Sequence, residues 1–72
     1  MSREKMIAEN LRKARGNRSR AEIAEAAQVS ISALSMYENA ERIPRDAIKI
    51  RLSRALGVGV AELFYPEIFF AS

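Results

Sequence analysis

The sequence contains neither cysteine nor histidine. Without cysteine there are no disulfides and no thiol nucleophiles, and without histidine there is no imidazole base and almost no way to build a transition-metal site. Metalloenzymes and disulfide-stabilised secreted scaffolds are therefore excluded, and we expect no metal and no other cofactor. Glycine is also scarce, at three residues, and no glycine-rich phosphate loop is present. Because the carboxylates are scattered as well, we expect no enzyme.

Long apolar runs are missing too. A membrane span needs roughly 18 consecutive apolar residues, which the chain does not have, and its first residues form no secretory signal. We therefore expect a cytoplasmic protein that does not enter a membrane. The 72 residues, 49% hydrophobic and 29% charged, are typical of one small soluble domain spanning 1–72. Such a domain buries only about 60% of its unfolded surface, so its core is either economical or shared with a partner.

Charge of each sign is segregated along the chain. Residues 1–20 carry seven Lys and Arg against two Glu, residues 21–41 carry four Glu, and residues 42–54 carry five Lys and Arg against one Asp. Two basic segments flanking an acidic one suit a protein that grips phosphates on either side of another element. Incidental clustering on a solvated surface is the alternative, and charge alone does not decide between them.

Helix signals account for the first half of the chain. Ser2 is a candidate N-cap and Gly16 a stop signal, which predicts a first helix over 3–15 with an apolar stripe at helical spacing. Ser19 caps a second helix, and Ser30 caps a third that runs from Ile31 to about residue 39.

The second half of the chain is also helical in pattern. Pro44 suits the first turn of a fourth helix that ends before Gly57. A short fifth helix, from 59 or 60 to 64 or 65, ends at Pro66. No strand pattern competes, so the sequence predicts an all-α, compact five-helix domain with its core over 7–64.

The apolar C-terminal tail, residues 66–72, has little core left to fill. Ile68, Phe69 and Phe70 either cover the first or fifth helix of their own chain or form a partner surface, most simply with a second copy. The sequence leaves both possibilities open.

The segment 20–39 has the pattern of a helix-turn-helix. Ala24 is small where the two helices would cross, Val29 is the apolar turn residue, and Leu34 and Tyr37 anchor the second helix. Its other face could then enter a DNA groove about 12 Å wide. Spacing alone also fits a purely structural helix pair.

Several short stretches of the chain match the pattern of a known protein family. Residues 7–64, about four-fifths of the chain, resemble the lambda-repressor/Cro-like family of bacterial and phage regulators, also called the XRE family. The matching stretches are Ile7-x3-Leu11-x3-Arg15, Ser19-Arg20-Ala21-Glu22-Ile23-Ala24, Val29-Ser30, Leu34-Ser35-x-Tyr37-Glu38-Asn39, Arg42-x-Pro44, Ala55-Leu56-Gly57-Val58 and Glu62-Leu63-Phe64. This resemblance implies a five-helix domain that binds palindromic operator DNA as a dimer and reads bases with its third helix.

The resemblance also implies which residues contact base edges: Ile31, Ser32 and Met36, with Ser35 as a further candidate. Ile31 and Met36 can pack on thymine methyls but cannot make bidentate hydrogen bonds to bases, so we expect modest discrimination in favour of T-rich positions. Met36 could instead fill a gap between helices.

Other positions are expected to contact the DNA phosphates. Arg20 stands where the family usually has Gln, at a helix N-terminus that also carries Ser19. After the third helix, Asn39 and Arg42 match phosphate-contacting positions, and Arg45 lies near enough to join them. In the basic segments, Arg12, Arg15 and Arg18 are further candidates, whereas Arg51 and Arg54 are expected to be solvated.

Two residues near the end of the third helix carry separate expectations. Glu38 is expected to form a structural ion pair, for example with Arg15, because an anion in the groove would be repelled by DNA. Ala40 stands where the family commonly has Gly at positive φ, so it is strained by roughly 1 kcal/mol or the loop is rerouted.

The leading hypothesis is a sequence-specific DNA-binding transcriptional regulator, a repressor that binds double-stranded DNA as a homodimer. The alternative is a protein-interaction module, an antitoxin or adaptor, with the same fold. The apolar Ile31 and Met36 are the residues that favour the alternative.

Overall fold

A computed structural model describes residues 2–69 and is helical in all of its regular structure. Its six helices are α1 (Arg3–Arg15), α2 (Arg20–Ala27), α3 (Ile31–Glu38), α4 (Asp46–Leu56), α5 (Val60–Phe64) and α6 (Pro66–Phe69). The all-α prediction is confirmed. None of these helices has both the length and the apolar character needed to cross a membrane.

Serine residues begin the first three helices, as the sequence predicts. The hydroxyl oxygens of Ser2, Ser19 and Ser30 accept hydrogen bonds from the backbone N–H groups three residues later, at 3.2, 3.0 and 2.9 Å. Each bond satisfies one of the N–H groups that lack a partner inside the helix. These local signals fix where α1, α2 and α3 start.

Two helix boundaries differ from the prediction. Pro66 does not end the helical part of the chain but starts α6, so the described residues contain six helices rather than five. Proline is well tolerated at a first helical position because its missing N–H has no partner there anyway. Pro44 lies outside α4, whose N-cap is Arg45, in an extended conformation. Pro44 is buried instead, in the loop before the helix.

The core lies where α2 packs against α3 and α4, and where α1 packs against α3 and α5. Ala24 and Ala27 are buried on α2, and their small side chains allow the neighbouring helices to approach closely. The larger buried apolar side chains are Ile7, Leu11, Ile23, Leu34, Tyr37, Leu52, Leu56, Leu63 and Phe64. Because α3 is anchored on one side only, its opposite side faces outward.

The chain reverses at two residues with positive φ that are not glycine. Gln28 ends α2 with φ +58°, and Ala40 follows α3 with φ +62°. Ala40 therefore has the positive φ that was expected at its position, and the loop is not rerouted to avoid it. An L-residue in this region costs roughly 1 kcal/mol, so the loop after α3 stores strain at Ala40.

Candidate nucleic-acid interface

The outward side of α3 carries the four residues expected at base edges. Ile31 is 52% exposed, Ser32 is exposed, and Ser35 and Met36 are half-buried. Their spacing of one, four and five residues places them on one side of a helix. Together they offer two apolar side chains and two hydroxyl groups.

The inward side of α3 is held by a short turn from α2. The N–H of Val29 donates to the carbonyl of Ala24 at 2.9 Å, and the left-handed Gln28 turns the chain between the helices. Leu34 and Tyr37 are buried against the rest of the core. The predicted turn and anchors are therefore present, and α3 is fixed with its outward side free.

Glu38, the last residue of α3, is a buried carboxylate only 1% exposed. Arg15 on α1 binds it with two hydrogen bonds, from Nε to Oε2 at 2.8 Å and from Nη2 to Oε1 at 3.0 Å. Arg20 on α2 adds a bond from Nε to Oε1 at 2.8 Å. Arg12 donates to the backbone carbonyl of the same residue. Glu38 thus joins α1, α2 and α3, and its expected ion pair with Arg15 is confirmed.

The protonation of Glu38 follows from these contacts. Burial acts to raise the pKa of Glu38, but hydrogen bonds from Arg15 and then Arg20 act against it, and the pKa lies below its ordinary value. The hydrogen bonding that Arg15 donates to the Glu38 carboxylate, opposed by partial burial, raises the pKa of Arg15. A charged carboxylate therefore persists in the interior.

Arg20 makes fewer hydrogen bonds than Arg15. Its side chain is 38% exposed, and within residues 2–69 its two Nη groups make no hydrogen bond. Arg15, at 19% exposed, also donates from Nη1 to the carbonyl of Arg18 at 2.8 Å. Of these two cations, Arg20 therefore keeps more unused donors within the described residues, and both of its Nη groups are among them. Ser19 lies beside it, exposed, at the start of α2.

Several other arginines bind backbone carbonyls of the chain itself. Arg18 donates from Nη2 to Ala14 at 2.7 Å and to Leu56 at 3.3 Å. Together with the bonds of Arg12 and Arg15, these contacts give the arginines of α1 and its following loop a structural role. Fewer of their donors are therefore available for the phosphate contacts expected of them.

The expectation that Arg51 is solvated is wrong. Its Nε donates to the carbonyl of Ala27 at 2.9 Å and its Nη2 to that of Gln28 at 3.4 Å. The last turn of α2 contains no basic residue, and Arg51 on α4 supplies the missing donors. The lack of a basic residue in the last turn of α2 was the signal in the sequence for this contact. Arg54 is exposed, as expected.

The loop after α3 carries the remaining expected phosphate contacts. Asn39, which ends α3, is exposed, as are Arg42 and Arg45. In the described part of the chain, the guanidinium groups of Arg42 and Arg45 make no hydrogen bond. Asn39 also borders a shallow groove of about 260 Å³ with Lys5 from α1.

The tail begins against the chain's own first helix. Arg3 on α1 donates to the carboxylate of Glu67 at 2.7 Å and to the carbonyl of Phe64 at 2.9 Å. The hydrogen bond from Arg3 lowers the pKa of Glu67. Even so, Ile68 is 64% exposed and Phe69 44% exposed. Phe70 lies outside the described residues.

Comparison with known proteins identifies the family. A family model described as helix-turn-helix matches residues 9–63, which is most of the chain. The protein therefore belongs to the helix-turn-helix family of the XRE, or Cro/C1, type, a family of DNA-binding domains rather than of enzymes. No curated protein and no solved structure matches the chain.

Proposed function

We propose that this helix-turn-helix protein is a sequence-specific transcriptional repressor that binds a palindromic operator as a homodimer, with α3 in the major groove. The observation that carries the proposal is the two-sided character of α3. Its inner side ends in the buried Glu38, which accepts four hydrogen bonds from three arginines, while Ile31 and Ser32 on its outer side are exposed. A rigid helix with one free side is what groove insertion requires.

The outer side of α3 predicts how bases are read. Ile31 and Met36 have no hydrogen-bonding groups, so they pack on thymine methyls rather than bind guanine or adenine bidentately. Ser32 and Ser35 donate to or accept from either base pair. Discrimination is therefore modest, with T-rich positions favoured and DNA shape contributing to the rest.

Phosphate contacts lie on both sides of α3. Ser19 and Arg20 bind the backbone from the start of α2, and Asn39, Arg42 and Arg45 bind it from the loop after α3. The guanidinium groups of Arg42 and Arg45 are exposed and make no hydrogen bond or ion pair within residues 2–69. This supports the assignment, because charge-assisted bonds to phosphate are strong.

The partner surface is the exposed apolar part of the tail, Ile68 and Phe69; Phe70, which the sequence also suggests for it, lies outside the described residues. Operator half-sites of a two-fold dimer are about 34 Å apart. The exposure of these two apolar side chains, 64% for Ile68 and 44% for Phe69, is what supports the assignment.

Selection of bound sequences from a random-duplex pool, followed by titration of the winners at several salt concentrations, tests the function. We expect a palindromic, T-rich consensus and an affinity that falls by about 0.9 log units per log unit of salt for each neutralised phosphate. No enrichment, together with salt-independent or absent DNA binding, would refute the proposal.

That negative result would favour the second candidate, a protein-interaction module. Its specific support is the 52% exposure of Ile31, an apolar residue where a polar base reader is usual. A module that binds only protein would show no salt-dependent affinity for a random duplex.

A further inference from the structure

We propose that Glu38 is a positioning residue for DNA binding: it holds Arg20 through Nε, so that the two Nη groups of Arg20 bind one phosphate end-on. The inference rests on the proposed function and adds a residue that does not touch DNA itself. It assigns to Glu38 a role beyond the structural ion pair with Arg15.

The geometry of the carboxylate supports a fixed orientation. Arg15 occupies both oxygens of Glu38, at 2.8 and 3.0 Å, so the carboxylate cannot rotate without breaking a bond. The same Oε1 accepts from Arg20 Nε at 2.8 Å. Since a guanidinium is planar, fixing the direction of its Nε–H fixes the direction in which the Nη groups point.

The available donors match a phosphate. Glu38 uses only the Nε of Arg20, which leaves the Nη1–Nη2 edge, a two-donor fork suited to phosphate oxygens. Glu38 is 1% exposed while the Arg20 side chain is 38% exposed, so the guanidinium reaches from a buried anchor to the surface.

The local charge also favours an anion. Arg12, Arg15 and Arg20 all bind Glu38, through its carbonyl or its carboxylate. Three positive charges around one negative charge leave a net charge of plus two. Of the two arginines that bind the carboxylate, Arg20 is the more exposed. A phosphate that joined Arg20 would add to this network without displacing Glu38.

Replacement of Arg20 by Lys separates position from charge. In R20K the charge remains, but an ammonium cannot hold Glu38 through one nitrogen and a phosphate through two others. We expect the affinity for a random-sequence DNA duplex to fall about tenfold, with the salt dependence unchanged because the charge is unchanged. The matched control is R54K, at an exposed arginine outside the interface, which we expect to bind as the wild type does.

A double-mutant cycle tests whether Glu38 acts through Arg20. E38Q should weaken DNA binding several-fold in the wild-type background and much less in the R20K background. In R20K the Arg20 guanidinium through which Glu38 would act is already absent. Equal losses in both backgrounds would mean that Glu38 acts only by holding the fold, and would overturn the inference. R20K that binds as tightly as the wild type would overturn it as well.

If E38Q does not fold, NMR of the arginine Nε–H groups in the folded wild type replaces the double-mutant cycle. In the wild type, the Arg20 Nε–H signal, identified by its loss in R20K, should persist when the random duplex is added, while the Nη signals shift. Disappearance of the Nε–H signal on adding DNA would show that Glu38 releases Arg20 and would refute the inference. Absence of DNA binding by the wild type would instead refute the proposed function, and the inference with it.

Discussion

Arg15 and Glu38 lie 23 residues apart in the sequence and form a two-bond ion pair in the interior, with Nε–Oε2 at 2.8 Å and Nη2–Oε1 at 3.0 Å. The pair ties α1 to the end of α3. Because the carboxylate is 1% exposed, neither partner can lose the other without leaving a poorly solvated charge. The orientation of α3 therefore depends on a polar contact as well as on apolar packing.

Glu38→Ala should destabilise the fold by about 3 kcal/mol, the lower end of what removing one partner of a buried pair costs, because Arg15 keeps some access to water. Urea unfolding measures the change. The control Glu41→Ala, at an exposed position, should stay within about 0.5 kcal/mol. A loss below about 1 kcal/mol at Glu38 would contradict the structural role assigned to it.

Acidification should weaken the fold through the same residue. The pKa of Glu38 is lower in the folded protein than its ordinary value of 4.5, so the unfolded chain binds more protons between the two values. The contribution of Glu38 is fully present above pH 4.5 and is lost as the pH falls through the folded-state pKa. Urea midpoints should fall in that acidic range, and the fall should be smaller in E38Q. An unchanged pH profile in E38Q would contradict this; the control is E41Q, at an exposed carboxylate that makes no hydrogen bond or ion pair within residues 2–69.

Ala40→Gly should stabilise the protein by about 0.5–1 kcal/mol. The φ of Ala40 is +62°, and glycine removes the strain of that conformation at some entropic cost in the unfolded chain. Thermal or urea unfolding measures the gain. Ala26→Gly, at an exposed position in α2, should have the opposite sign, and a loss of stability at both positions would show that the loop is not strained.

Arg42→Ala and Met36→Ala should affect DNA binding differently. Loss of the exposed Arg42 should weaken binding to selected and random duplexes alike and reduce the salt slope by about 1. Loss of Met36 should leave the slope unchanged and alter the preference at one or two base pairs. Fluorescence titrations on both duplexes distinguish the two. If the variants behave alike, the division between phosphate and base contacts is wrong.

Ile68→Ser should disrupt the proposed dimer without unfolding the monomer, because Ile68 is 64% exposed. Light scattering after size exclusion should give a dimer for the wild type, at least when DNA is bound, and a smaller mass for the variant. Ile50→Ser, at an isoleucine on α4 that is 46% exposed, is the matched control. A dimer that survives in Ile68→Ser would remove the tail from the interface.

Much of the fold was predictable because its signals are local. Serine caps and apolar spacing gave the limits of α1 and the starts of α2 and α3, and the helix-turn-helix pattern gave the outward residues of α3. The start of α4 was misplaced because proline suits both a first helical turn and the extended segment before one. A separate α6 was missed because proline both ends and begins helices.

The amino-acid order by itself determined the helical character of α1 to α5, the turn between α2 and α3, and the residues that α3 presents outward, since caps and periodicity act over a few residues. Apart from the Arg15–Glu38 pair, which the sequence predicts, only the tertiary structure decided the roles of the arginines. A guanidinium binds whichever acceptors folding brings near it: Arg51 reaches a carbonyl 24 residues away and Arg18 one 38 residues away, whereas Arg42 stays exposed. No spacing along the chain encodes those distances.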